Sequence, residues 1–253
     1  MTLNLTCDGA VAVLTIDRPE KRNAMTFEMW SALPSLLDKV ATDPTVGALV
    51  IQGTDHFSAG ADISEFKTLR ADPAGAKKYS EAVHAGERAI ATLAKPTIAA
   101  ITGVCVGGGC EIALACDLRV AAHDARFGIT PAKLGIIYNA TSTKRLVDAV
   151  GPAWASQILF TADLVDAETA LRIGLVNELH TPDTVTTRAR KLAETMATRS
   201  QVSIQGAKII VKRITEGLPT EGEAVEALYE SSVTSPDYAE GVQAFLEKRP
   251  PRF

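Results

Sequence analysis

The chain has 253 residues, 46% of them hydrophobic, and a formal net charge of −4. This length and apolar content are enough for a sizeable core, in one large domain or in a domain with an appendage. No basic patch stands out and no run of about 18 apolar residues occurs, which argues against a nucleic-acid partner and against a membrane span. The N-terminal residues also lack the basic start and the continuous apolar stretch of a secretion signal.

The first half of the chain alternates apolar strands with helices. Residues 3–16 predict two strands joined by a tight turn at Asp8-Gly9. A helix should begin after Thr26, a typical N-cap residue, and Pro34 predicts a kink or an early end for it. The strands "VGALVIQG", "PTIAAITG" and "CDLRVAA" follow, and a long amphipathic helix precedes the second of them. This order predicts an α/β core with parallel strands.

The second half is mostly helical. After the strand "LVNELH" we predict helices only, with a capping box formed by Thr220 and Glu223 and an N-cap at Ser235 before Pro236. The last helices are too few to bury a core of their own. We therefore divide the chain into a core domain, residues 1–194, and a helical region, residues 195–253, that packs on the core or on another subunit.

Other potential sites carry weaker signals. Cys105, Cys110 and Cys116 lie in apolar stretches and predict buried free thiols, typical of a reducing cytoplasm. The four histidines show no metal-ligand spacing, and no G-x-S-x-G nucleophile elbow occurs. The charges of "EAVHAGERAI", residues 81–90, are interpreted as one solvated helix face. We predict no metal ion and a cytoplasmic protein.

Three consecutive glycines, residues 107–109, stand directly before an apolar helix that carries Glu111 in its first turn. Glycine lets a ligand approach the backbone, and the first N–H groups of a helix have no intrahelical partner. The run lacks the pattern of a P-loop or of a dinucleotide site, so it is either a tight strand-to-helix turn or an oxyanion site. Glu111 would either complement the helix dipole or, with its pKa raised by burial, move protons near neutral pH.

A second glycine-bearing turn occurs in "HFSAGADISEF", residues 56–66. It also leads from a strand into a helical pattern, and its small residues leave the backbone accessible. Two such turns can offer two N–H donors to one carbonyl oxygen, which stabilises an enolate or a tetrahedral oxyanion.

These motifs resemble one family as a set. "RPEKRNAM", "FSAGADISEF", "KPTIAAITGVCVGGGCEIALACDLRVAAHDARFG" and "FLEKRPPRF" are similar, in order and over nearly the whole chain, to the enoyl-CoA hydratase/isomerase (crotonase) superfamily. The resemblance implies a spiral core of ββα units, a C-terminal helical region that mediates trimerisation, and a homotrimer or homohexamer. It also implies acyl-CoA thioester substrates and no cofactor beyond the CoA of the substrate.

The resemblance assigns roles to individual residues. The backbone N–H groups of Ala61 and Gly108 would hold the thioester oxygen, and Glu111 would be the acid/base. The residues implied in CoA binding are Lys21, Arg22, Ala59, Gly60, Ala61, Asp62, Ile63, Gly108, Phe245 and Lys248. The last two would complete the pocket of a neighbouring subunit, although Lys248 could equally be a solvated tail residue.

The sequence departs from the family hydratases at one catalytic position. Hydratases resemble "F-G-x-P-E-x-x-x-G", whereas this chain has "FGITPAKLG", with Pro131 where the second glutamate should stand. The run "TPAKLGIIYN" resembles the methylmalonyl-CoA decarboxylase subgroup and would place Tyr138 against the acyl group as a hydrogen-bond donor, unless its hydroxyl lies at the surface. That subgroup has histidine where this chain has Ala61.

Four functions remain open. An enoyl-CoA hydratase is the first hypothesis. A decarboxylase of a 2-carboxyacyl-CoA such as methylmalonyl-CoA would form the same enolate without a second glutamate, and an isomerase would shuttle one proton on Glu111. A non-catalytic scaffold that holds acyl-CoA or pairs with another subunit fits the missing glutamate, but the presence of Glu111 argues against it.

Overall fold

The computed structural model describes residues 2–253. The strands are β1 (Leu3–Asp8), β2 (Val11–Ile16), β3 (Ala48–Gly53), β4 (Thr97–Ile101), β5 (Val104–Val106), β6 (Leu118–Ala122), β7 (Arg126–Gly128), β8 (Val165–Asp166) and β9 (Glu178–His180). The helices are α1 (Phe27–Thr42), α2 (Phe66–Leu69), α3 (Pro73–Thr92), α4 (Gly108–Ala115), α5 (Ala140–Thr161), α6 (Ala167–Arg172), α7 (Val185–Ala197), α8 (Gln201–Thr215), α9 (Glu223–Val233) and α10 (Pro236–Leu246).

The main sheet has the order β1-β2-β3-β4-β6-β9. Its first pair is antiparallel, with Asp8 opposite Val11 and Gly9 at φ +60°, which confirms the predicted hairpin. All further pairs are parallel, as predicted. Every residue of β4 is buried, and β3 is buried except at its end, which is typical of parallel strands covered on both faces.

A smaller sheet, β5-β7-β8, lies beside the main one. In the chain, β5 follows β4, β7 follows β6, and β8 follows α5. β5 and β7 pair in parallel, and an isolated bridge joins Ser58, after β3, to Cys105 of β5. A main strand, a short strand and a helix therefore recur as β4-β5-α4 and β6-β7-α5. This recurrence confirms the predicted ββα units, and it places the end of β5 beside the turn that follows β3.

The helix boundaries confirm two sequence predictions and contradict a third, and of the two outcomes predicted for Pro34 they exclude the early end. The Thr26 hydroxyl caps α1, and the Ser235 hydroxyl caps α10. Pro34 neither ends nor shortens α1, which continues to Thr42. The predicted capping box is wrong. α9 begins only at Glu223 and its N-cap is Gly222, at φ +122°, so Thr220 lies two residues before the N-cap position.

The chain changes character after α7. α7 packs on the main sheet and buries three residues there, whereas α8 buries none and α9 and α10 bury one each. Large apolar side chains are exposed on these last helices: Ile209, Val211, Ile214, Tyr229, Val233, Tyr238, Val242, Phe245 and Leu246. No helix of residues 2–253 is both long and apolar enough to cross a membrane. The division at residue 194 and the trimerisation role of residues 195–253 stay predictions.

Candidate active site

Two turns meet at the edge of the small sheet, and we call residues 58–61 the first turn and residues 107–109 the second turn. Two backbone bonds join the segments that lead into them, from Ser58 N–H to the Val104 carbonyl (3.0 Å) and from Val106 N–H to the Ser58 carbonyl (2.9 Å). The two segments therefore run side by side. Residues that follow the paired positions, such as Ala61 and Gly108, are brought together by this register.

Glycine is required in the second turn for two physical reasons. Gly107 has φ +52° and ψ −114°, a conformation that a residue with a Cβ adopts only with strain. A Cβ added at Gly109 would lie 2.5 Å from the Ser58 carbonyl oxygen, so the two turns pack backbone against backbone. The second turn is thus both a tight strand-to-helix turn, the first of the two sequence interpretations, and an accessible stretch of backbone.

The backbone nitrogens of Ala61 and Gly108 lie close to each other. A Cβ added at Gly108 would be 3.4 Å from the Ala61 nitrogen, and one added at Gly60 would be 3.0 Å from the Gly108 nitrogen. Within the part of the chain that the structure describes, neither N–H donates to a protein acceptor. Gly108 is also the first residue of α4, where the helix dipole is positive. Both N–H groups are therefore available to donate hydrogen bonds to one oxygen atom that carries negative charge.

The cavity in front of these amides has a volume of about 380 Å³. The first turn, the second turn, α3 and the segment after β7 enclose it. The residues that line it are Trp30, Ala59, Gly60, Ala61, Ile63, Phe66, Arg70, Tyr79, Ser80, Val83, His84, Gly107, Gly108, Glu111, Thr130, Pro131, Lys133, Leu134, Ile136, Ile137, Tyr138 and Asn139. Most of this lining is apolar, and Glu111 is its only carboxyl group.

Glu111 lies beside the amides and is only 8% exposed. A Cβ added at Gly108 would be 3.5 Å from Glu111 Oε2, and Asn139 Nδ2 donates to Glu111 Oε1 over 2.9 Å. Burial raises the pKa of Glu111 well above its usual range, and the nearby Glu87 carboxyl adds to this effect. The direction of the shift and its main cause agree with the sequence prediction, and a carboxyl group with a raised pKa is suited to general acid–base chemistry.

Glu87 is a residue that the sequence analysis assigned wrongly. It was interpreted as part of a solvated face of α3, but it is only 1% exposed. Its carboxyl group accepts hydrogen bonds from Ser142 Oγ (2.7 Å) and Arg145 (3.1 Å) on α5. The helical spacing could have predicted this burial, because Glu87 lies between the buried Val83 and Ile90 on one face of the helix.

Tyr138 lines the cavity with a hydroxyl that is buried and has no hydrogen-bond partner within residues 2–253. The interpretation that places this hydroxyl at the surface is therefore wrong. Burial raises the pKa of Tyr138 well above its usual range, so the hydroxyl stays protonated as a donor. Trp30 Nε1 and the Tyr79 hydroxyl are likewise buried without a partner in the same lining. Because buried donors normally have partners, these three are available to a bound molecule.

Other residues implied by the family resemblance lie at different distances from the cavity. Ala59, Gly60 and Ile63 line it. Asp62 lies outside the lining and binds Arg18 over 2.7 Å. The segment of Lys21 and Arg22 is exposed and adjoins the first turn through a bond from Ala59 N–H to the Arg22 carbonyl.

The tail residues do not line this cavity. Phe245 is 83% exposed and borders a groove among α8, α9 and α10, and Lys248 follows the end of α10. Their contact with the CoA of a neighbouring subunit stays a prediction.

Comparison with known proteins places this site in a family. A model of the enoyl-CoA hydratase/isomerase family matches residues 6–253. The chain is 36% identical over 249 residues to the crotonyl-CoA hydratase of Syntrophomonas wolfei, with 96% of this chain and 94% of that protein covered. It is 34% identical over 249 residues to the short-chain-enoyl-CoA hydratase of Clostridium acetobutylicum, with 96% and 93% covered.

Solved structures agree with the sequence relatives. An enoyl-CoA hydratase/isomerase family protein from Hyphomonas neptunium superposes with a TM-score of 0.97 at 38% identity, covering 100% of this chain and 97% of that one. The resemblance that the motifs indicated is thereby confirmed over the whole fold. The chain belongs to the enoyl-CoA hydratase/isomerase (crotonase) family.

Proposed function

We propose that this enzyme hydrates 2-enoyl-CoA thioesters. The N–H groups of Ala61 and Gly108 would form an oxyanion hole for the thioester oxygen, and Glu111 would transfer the proton. The observation that carries this proposal is the placement of two unpartnered amides beside one buried carboxyl group in an apolar cavity. The hydratase names of the two sequence relatives support it.

The amide pair would stabilise the charge that develops during the reaction. Attack of water at the β-carbon moves electrons onto the thioester oxygen and gives an enolate. A donor aimed at that oxygen is typically worth about 3 kcal/mol in the transition state. Because Gly108 begins α4, the helix dipole adds to the effect of its N–H.

Glu111 would serve both halves of the proton transfer. Hydration forms a C–O bond at the β-carbon and a C–H bond at the α-carbon while the π bond between them breaks. One carboxyl group can take a proton from the attacking water and give one to the α-carbon. The free hydroxyl of Tyr138 can donate to the acyl group or to the water. No second carboxyl group is needed for this balance.

The binding roles follow the family resemblance. The apolar cavity of about 380 Å³ suits a short acyl chain, and the exposed Lys21 and Arg22 would contact CoA. The exposed apolar side chains of α8, α9 and α10 suit burial in a homotrimer or homohexamer, in which Phe245 and Lys248 would reach a neighbouring pocket. The proposal includes no cofactor beyond the CoA of the substrate.

The first experiment follows the absorbance of the enoyl thioester during incubation with crotonyl-CoA. The native chain should consume it, and Glu111→Gln should lower kcat at least 100-fold while CoA-ester binding survives. Glu81→Gln makes the same chemical change on an exposed part of α3 and should leave kcat unchanged. Native turnover by Glu111→Gln would remove Glu111 from the mechanism, and tight CoA binding with no turnover on any thioester would favour a binding scaffold.

Decarboxylation of a 2-carboxyacyl-CoA is the second candidate. It is favoured by the single carboxyl group in the cavity lining, where Pro131 occupies the position of the second family glutamate. Loss of CO2 forms the same enolate, which then needs only one proton at the α-carbon. Release of CO2 from methylmalonyl-CoA, with crotonyl-CoA left intact, would select this reaction. Conversion of a 3-enoyl-CoA to its 2-enoyl isomer would select isomerisation instead.

A further inference from the structure

Glu111, in the cavity lining, and Glu87, outside it, form a buried carboxyl pair. Glu87 comes from α3 and Glu111 from α4, and the side chains of Asn139 and Ser142 connect their carboxyl groups. Both are at most 8% exposed. Two buried carboxylates that are close together repel each other, which favours a state in which one of the two carries a proton.

The first turn of α5 connects the two acids. Asn139, the N-cap residue, donates from Nδ2 to Glu111 Oε1 and to Ser142 Oγ, each over 2.9 Å. Ser142 Oγ in turn donates to Glu87 Oε1 over 2.7 Å. The Asn139 side chain is itself held by the Ser142 N–H, which donates to its Oδ1 over 2.8 Å. A helix cap thus fixes the relative positions of both carboxyl groups.

The surroundings of the two acids differ in charge. Glu87 receives a hydrogen bond from the Ser142 hydroxyl and a charged one from Arg145 at 3.1 Å. Glu111 receives only the neutral amide of Asn139. A cationic donor stabilises a carboxylate more than a neutral one does. The negative charge of the pair therefore belongs on Glu87.

We propose that Glu87 is a positioning residue that keeps the proton of the pair on Glu111, so that the resting enzyme presents Glu111 as an acid. The proposal rests on the proposed function only in taking Glu111 as the group that transfers the proton. Glu111 would protonate the α-carbon of the enolate and recover a proton from the attacking water. In this order of events Glu111 starts and ends each cycle protonated, so one carboxyl group suffices without the second family glutamate.

Other ionisable groups near Glu111 do not counteract this difference in charge between the surroundings of Glu87 and those of Glu111. The Tyr138 and Tyr79 hydroxyls and the Cys110 thiol are neutral when protonated, and they come from the segment before α5, from α3 and from α4 itself. The basic groups of the cavity lining are Arg70, His84 and Lys133, and none of them pairs with Glu111 within residues 2–253.

Infrared spectroscopy of the enzyme without substrate tests the proton directly. A carbonyl band of an un-ionised carboxyl group should be present at neutral pH, vanish in Glu111→Gln and persist in Glu87→Gln. In Glu87→Gln the band should titrate at a pH lower by roughly one unit or more, because the adjacent negative charge is gone. A band that is lost in Glu87→Gln and kept in Glu111→Gln would overturn the proposal.

The pH dependence of kcat/KM gives a second readout. Because the acid form of Glu111 would be the active one, activity should fall at high pH, and Glu87→Gln should move that fall to lower pH by roughly one unit or more. Glu81→Gln on the exposed face of α3 is the matched control and should keep the native profile. An unshifted Glu87→Gln profile with reduced stability would show a merely structural role.

The two readouts separate this proposal from the function on which it rests. If the native chain fails to hydrate any enoyl-CoA but its infrared band behaves as expected, the proposed reaction is wrong and the assignment of the proton stands. If hydration occurs but no band of an un-ionised carboxyl group depends on Glu111, the proposed reaction stands and the assignment of the proton to Glu111 is wrong. Should Glu87→Gln not fold, the comparison of the native chain with Glu111→Gln still decides whether Glu111 carries the proton.

Discussion

The two turns at the cavity present equivalent amides but are built by different means. In the first turn, side chains hold the backbone: Ser58 Oγ accepts from Gly60 N–H and donates to the Asn23 carbonyl, and Asp62 binds Arg18. In the second turn, glycines let the backbone adopt an unusual conformation and approach its neighbour closely. The first turn therefore depends on hydrogen bonds that can be removed singly, whereas the second depends on the absence of side chains.

Of the variants that test this contrast, Gly109→Ala should have the largest effect on stability and turnover. The added Cβ would lie 2.5 Å from the Ser58 carbonyl oxygen, so the backbones of the two turns would have to move apart. We expect a loss of about 3 kcal/mol in the free energy of unfolding and loss of turnover. Urea unfolding and the crotonyl-CoA assay measure both. Gly206→Ala on α8 is the control, because an added Cβ meets nothing within 4 Å there; equal stability of the two variants would contradict the close-packing argument.

A smaller effect is expected from Asp62→Asn, which breaks the ion pair to Arg18 directly after the first turn. The loss should be about 2 kcal/mol at neutral pH. The Ser64 hydroxyl and then Arg18 lower the pKa of Asp62 below its ordinary value of 3.8. Its contribution to stability is therefore present above that pH and is lost as the pH falls further below it.

Denaturant titrations of the native chain and of Asp62→Asn should thus converge at acid pH and separate above about pH 4. Asp43→Asn, at the exposed end of α1, is a control whose loss should be smaller at neutral pH. A stability difference for Asp62→Asn that stays constant across pH would mean that its charge does not contribute.

The smallest effect is expected from Ser58→Ala. Two hydrogen bonds are lost, and the Gly60 N–H and the Asn23 carbonyl lose a buried partner. A loss of about 1 kcal/mol in stability is expected, with a larger relative fall in kcat than in binding because the Ala61 amide loses its support. Ser31→Ala, which removes one exposed hydroxyl of α1, is the control. If kcat is unchanged while stability falls, the first turn keeps its shape without Ser58.

Several elements of the fold and of the site could be predicted from local sequence. The hairpin at Asp8-Gly9, the Thr26 cap and the two glycine-bearing turns all depend on residues close together in the chain. Turn and cap chemistry acts over two to four residues, so it can be predicted from local sequence without knowledge of the rest of the molecule. Local sequence predicted that the two turns would offer two N–H donors, and the family resemblance assigned these donors to Ala61 and Gly108, whose backbone nitrogens lie close together in the structure.

The failed prediction for Glu87 depended on packing partners far away in the sequence, whereas the failed capping box depended on a local backbone conformation. Glu87 looked like a solvated helix residue, but it is buried against Ser142 and Arg145, which are 55 and 58 positions away. The Thr220 box failed because the chain enters α9 through Gly222 at positive φ, which leaves Thr220 outside the helix.

The amino-acid sequence alone was sufficient for the two glycine-bearing turns, because glycine conformation and helix-start chemistry are local properties. Its motifs were sufficient for the family, and the role of Glu111 as the acid of the cavity stays a prediction. Only the tertiary structure decided that a second acid lies behind Glu111 and that Tyr138 points a free hydroxyl inward. Both facts arise where α3, α4 and α5 pack together, and the protonation of a carboxyl group depends on the charges and the solvent exclusion that such packing creates.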